Sequence, residues 1–98
     1  MLAVKVGLAL AVGLCAAGCS KKVSQPQCDA IVDHYAELVV RDAKPDASAE
    51  ARKADQARER EEARSDDLFR NCTSEIIAAD YDCAMAAKSA DAVEKCLQ

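Results

Sequence analysis

Apolar and charged positions divide the chain into stretches of different period. Residues 6–14 are uncharged and rich in Leu, Ala and Val, with one cation, Lys5, just before them. Further on, Cys28, Ile31, Val32, Tyr35 and Val39 fall on one side of a helical repeat, with Ala36 and Leu38 flanking. Asp29, Asp33, Glu37 and Arg41 fall elsewhere, which predicts an amphipathic helix. Ser24 and Gln27 fit a capping box and Pro26 is tolerated in a first turn, so the helix should begin there. Pro45 disfavours helical geometry at Lys44 and should end it near Ala43.

Residues 46–67 contain no aliphatic side chain larger than Ala and carry dense mixed charge. Their helix propensity is high and their capacity to form a core is low. Asp55 with Arg58, Arg58 with Glu62, and Asp66 with Arg70 lie at helical spacing, and each pair should contribute a few tenths of a kcal/mol. A solvated helix face is the expected role of such a run. Apolar spacing then returns: Leu68, Cys72, Ile76, Ala79, Cys83 and Ala86 or Ala87 recur at steps of three or four, with Phe69 and Ile77 beside them. This predicts one continuous helical stripe, with a kink or break at Asp80 as the alternative. Strand alternation is absent. Ser89 should cap a last short helix carrying Val93, Cys96 and Leu97. The expected class is all-α: a small disulfide-stapled helical hairpin or three-helix arrangement.

The opening run is too short to span a bilayer, which needs about 20 apolar residues, and it reads as the core of a secretory signal. Small residues Ala16, Ala17 and Gly18 follow, and then Cys19. In this the chain resembles bacterial lipoproteins, in which two small residues precede a cysteine that is diacylated through sulfur and becomes the new N-terminus. By that resemblance residues 1–18 are a signal peptide, Cys19 bears lipid, residues 19–27 form a tether, and residues 28–98 form a helical domain. Ala16 stands where the family prefers Leu. Cys15 follows the bulky Leu14, does not fit the cleavage pattern, and should leave with the signal. Ser20 occupies the position where inner-membrane lipoproteins commonly carry Asp, so the resemblance implies an outer-membrane location. Lys21 and Lys22 would lie near anionic headgroups or in a solvated linker.

Subtracting Cys15 and Cys19 from six cysteines leaves Cys28, Cys72, Cys83 and Cys96. An even set in a short exported chain reads as a disulfide framework. Structural zinc usually takes ligands in close pairs, whereas 43, 10 and 12 residues intervene here, so no metal is expected. No C-x-x-C motif exists for redox catalysis. If the chain folds back after Ser89, Cys83 and Cys96 should face each other. That assigns Cys28 to Cys72, against one objection. The first helix rises about 22 Å from Cys28, so a strict hairpin starting near Ser48 places residue 63 opposite Cys28, not Cys72. Part of residues 44–57 would have to loop out or overhang.

Catalytic chemistry is not evident. His34, the single histidine, neighbours Ile31 and Leu38 and reads as a core-edge residue without a nucleophile beside it. Glu61, Glu62, Asp66 and Asp67 lie in the solvated stretch, where nothing would raise a carboxyl pKa. Asp80 to Asp82 lack the Gly and terminal Glu of a calcium loop, and the Asn71-Cys72-Thr73 triplet reads as chance. With no glycine-rich phosphate loop and 17 acidic against 13 basic residues, neither a cofactor nor a nucleic-acid partner is expected.

Residues 28–96, through "CDAIVDHYAEL", "NC" and "YDCAMAAKSADAVEKC", further resemble small four-cysteine helical lipoproteins of myxobacterial type, a resemblance that brings no activity with it. The expected role is a structural or protein-interaction module, not an enzyme, whose partners are the membrane through the lipid and an envelope protein or the cell wall. A peptidoglycan-associated coiled coil resembling the murein lipoprotein is the alternative, with Ala47, Ala51 and Ala54 spaced like a seam. The ending "CLQ" lacks the Lys that family uses for attachment.

Overall fold

The structure, a computed structural model, describes residues 21–98. Its elements are helices α1 (Gln25–Ala43), α2 (Ala49–Ser65), α3 (Asp67–Arg70), α4 (Cys72–Glu75), α5 (Ala78–Ala86) and α6 (Ala90–Leu97). The long α1–α2 hairpin and the short α5–α6 hairpin are joined by the two single-turn helices. The fold is all-α, small and disulfide-stapled.

Serine caps start the three hairpin helices whose first turns would otherwise leave amide protons without partners. Ser24 forms the capping box with Gln27: its hydroxyl accepts from the Gln27 amide at 3.3 Å, and its own amide donates to Gln27 Oε1 at 2.8 Å. Ser48 and Ser89 accept from the amides of Ala51 and Ala92 at 3.2 and 3.1 Å. Helix α1 ends at Ala43, before Lys44 and Pro45.

The core lies along α1. Ile31, Ala36 and Val93 are fully buried, as is Ala84, and Val32, Leu38, Phe69 and Ile76 pack with them. Helix α2 contributes a single buried side chain, Ala63. Its inward side is otherwise polar: Arg52, Asp55, Gln56, Glu59 and Arg60 are partly covered, so their aliphatic stems shield apolar α1 surface while the charged heads reach solvent. Arg60 pairs with Asp33 on α1, Arg52 with the Pro45 carbonyl, and Lys44 with Asp55 at 2.7 Å. Ala51 and Ala54 point to solvent on the opposite side. Asp55 engages Arg58 at 3.0 Å, as its spacing predicts. The other two expected pairs do not form among the described residues. Arg58 is held by Asp55 instead of Glu62, and Arg70 turns to Asp67 because the Asp66 carboxylate accepts the Leu68 amide at 2.9 Å.

The structure joins Cys28 to Cys72 and Cys83 to Cys96, with Cα separations of 6.0 and 5.7 Å, ordinary values for a disulfide. The hairpin brings Arg64 to the cleft beside Cys28, close to where the rise per residue places residue 63, and Cys72 reaches the same cleft. Residues 44–57 do not loop out. The chain instead leaves the helical path at Asp66, whose extended backbone (φ −71°, ψ 144°) ends α2 and caps α3, and the two short helices carry Cys72 back to Cys28.

The expected continuous stripe from Leu68 to Ala87 is the main correction. It breaks at Asn71 and again at Ile76 and Ile77, not at Asp80. The two isoleucines, stiff and β-branched, are extended (φ −94°, ψ 128° and φ −97°, ψ 164°). Ile77 forms an isolated antiparallel bridge with Lys22. The Val23 amide donates to the Ile76 carbonyl at 3.0 Å, and the Ala78 amide to the Lys21 carbonyl at 2.9 Å. Breaking the helix resets its phase, so α5 buries Ala84 while Ala79 and Cys83 face outward.

Candidate functional site

Cys19, expected to carry lipid, lies outside the described residues, as does Cys15. Among the described residues the chemically distinctive groups form two constellations, one at each disulfide.

At the first, Cys28 and Cys72 are buried beneath a cleft of about 240 Å³. Gln25 and Asp29 on α1 form one wall, and their side chains are joined by a 3.1 Å hydrogen bond. Arg64, Phe69 and Arg70 form another. Both arginines already face a carboxylate one turn earlier, Glu61 and Asp67. The cleft therefore presents a polar surface that sets the Asp29 carboxylate, bonded to the neutral Gln25 amide, opposite two arginines that each have a carboxylate of their own.

At the second, three polar side chains of α1 hold the α5–α6 hairpin. His34 Nε2 donates to the Ala87 carbonyl at 2.9 Å, and Arg41 Nη2 donates to the Lys88 carbonyl at 2.9 Å. These two residues lie two helical turns apart on one face of α1 and satisfy carbonyls of the connection between α5 and α6. Tyr35 donates its hydroxyl to Glu94 on α6 at 3.0 Å, and its ring packs on Phe69 with centroids 5.1 Å apart and planes tilted by 56°. Burial, reinforced by the Glu94 carboxylate, pushes the Tyr35 phenol up to about 12. The core-edge position expected for His34 is the one observed, with the imidazole engaged by a backbone carbonyl. The anchoring roles of Tyr35 and Arg41 were not foreseen; the signal available was that Arg41 follows His34 by seven residues, two turns along one face.

At the tip of the long hairpin, the hydrogen bond from Lys44, aided by the nearby Arg58, holds the Asp55 carboxyl below the usual carboxylate range. This grouping is an ion-pair network fixing the α1–α2 turn. No cluster of three or more His, Cys, Asp or Glu side chains with metal-binding geometry occurs among the described residues. All four described cysteines are in disulfides, which removes the thiols as nucleophiles. No described helix is long and apolar enough to cross a membrane. What the arrangement does is rigidify: two covalent links and three polar anchors help fix the other five helices around α1. No protein-family model, curated protein or solved structure matches the chain.

Proposed function

We propose that this protein is a lipid-anchored bacterial lipoprotein of the cell envelope, held in the outer membrane through Cys19, whose helical head acts as a structural or protein-interaction module. The observation that carries this reading is the sequence of residues 6–19, a short apolar run closing on Ala17, Gly18 and Cys19. The fully paired set of Cys28, Cys72, Cys83 and Cys96 supports it, since such crosslinks persist in an oxidising compartment. The head offers fixed surfaces and no paired nucleophile and base, which favours recognition over catalysis. The outward side of α2, with Lys53, Arg58, Glu61 and Glu62 exposed, offers a charged surface to an envelope protein or cell-wall partner.

Intact-mass measurement of protein extracted from membranes tests the anchor. A chain beginning at Cys19 with the added mass of acyl groups is expected, and Cys19→Ala should release the protein from the membrane. An unacylated wild-type chain would overturn the reading. Crosslinking in intact cells from α2 should recover a reproducible envelope partner.

A further inference from the structure

Residues 21–23 are not a loose linker in this fold. Their backbone is paired on both sides of the Lys22–Ile77 bridge, with the 3.0 and 2.9 Å hydrogen bonds to Ile76 and Ala78, and the Val23 side chain is only 4 % exposed within the core. The chain is thus fixed to the domain two residues after Cys19. Two residues of fully extended chain reach at most about 7 Å.

We infer that the end of the head formed by Lys21, Lys22, Ser24, Thr73 and Ser74 is seated face-down on lipid headgroups, so that the domain has a set orientation on the bilayer instead of swinging on a tether. The inference rests on acylation of Cys19, the reading proposed above. All five side chains are exposed and the two charged ones are lysines, with the exposed Glu75 following Ser74, while acidic residues outnumber basic ones in the remainder of the head. An anionic bilayer therefore repels most of the head and attracts the two lysines at this end. The α1–α2 turn, at the other end of a 19-residue helix, lies about 28 Å away along α1.

The test uses acylated full-length protein in vesicles containing an anionic lipid and a headgroup-attached spin label, with a fluorescent amino acid incorporated at Thr73 or at Asp46. Quenching at Thr73 should exceed that at Asp46 by about fivefold or more, and a ten-residue Gly/Ser insertion between Ser20 and Lys21 should largely abolish the difference. Hydrogen exchange at the Val23 and Ala78 amides should be as slow as at α1 amides in both proteins, showing that the insertion lengthens the tether without unpairing it. Equal quenching at the two positions in acylated protein without the insertion would overturn this inference alone. Absence of acyl mass would overturn the functional reading and this inference with it.

Discussion

Tyr35 and Glu94, 59 positions apart in sequence, meet through a 3.0 Å hydrogen bond that fastens the last helix to the first. The phenol is raised to about 12 by burial and by that carboxylate, so its neutral form is favoured in the folded state. A raised acid contributes stability that is present below the unfolded value of about 10 and is lost as pH climbs towards 12. Denaturant melts should therefore show stability falling from about pH 10 upward, and Tyr35→Phe should remove that alkaline component while costing about 1 kcal/mol at neutral pH. A Tyr35→Phe protein with an unchanged alkaline limb would refute the assignment.

The disulfides differ in access. Cys28 and Cys72 are 3 % and 6 % exposed, whereas Cys83 is on the surface and Cys96 is half-buried. Thiol–disulfide exchange needs a thiolate to reach a sulfur atom. Graded reduction under native conditions, followed by alkylation and peptide mapping, should label Cys83 and Cys96 first. Cys28 and Cys72 should be labelled only once the head opens. Replacing Cys83 and Cys96 by Ser should cost about 3 kcal/mol, and replacing Cys28 and Cys72 about 4, on the chain-entropy account.

Phe69 is the single phenylalanine and fills the space between α1 and the disulfide end of the hairpin, its ring tilted against that of Tyr35. Phe69→Ala should destabilise by about 3–5 kcal/mol and Phe69→Leu by much less, because only the former leaves a large void. Urea unfolding monitored by far-ultraviolet circular dichroism gives both values. A loss below about 1 kcal/mol for Phe69→Ala would show that the site collapses around the vacancy.

Asp55 behaves oppositely to Tyr35. Its carboxyl is lowered by the Lys44 hydrogen bond, so its contribution is present above the ordinary carboxylate value near 4 and fades as pH falls through its lowered folded value. Thermal melts across the acid range should show Asp55→Asn flattening part of the acid decline, with its effect vanishing at the lowest pH. Lys44→Met should reproduce that flattening, since it removes the same partner.

Much of the local structure was legible. Capping serines and Pro45 marked the ends of α1 and the start of α6, because a cap depends on residues three positions apart and nothing else. The partners Cys83 and Cys96 were readable from a turn near Ser89. The break at Ile76 and Ile77 was not, since its cause is the pairing with residues 21–23, far away in sequence, and local spacing carries no trace of it. Nor was the inward side of α2. A pattern search treats Arg52, Gln56 and Glu59 as solvent-facing, yet long side chains cover apolar neighbours with their methylenes. The candidate anchor at Cys19 was legible only as a motif, and the polar contacts from α1 to the final hairpin required the fold.

The two covalent loops follow one another along the chain, Cys28 closing with Cys72 before Cys83 begins its own loop to Cys96. Among the described residues each cysteine thus pairs with the next one along the chain, and the two loops neither overlap nor nest. Pairing the four cysteines in simple chain order therefore yields the native set.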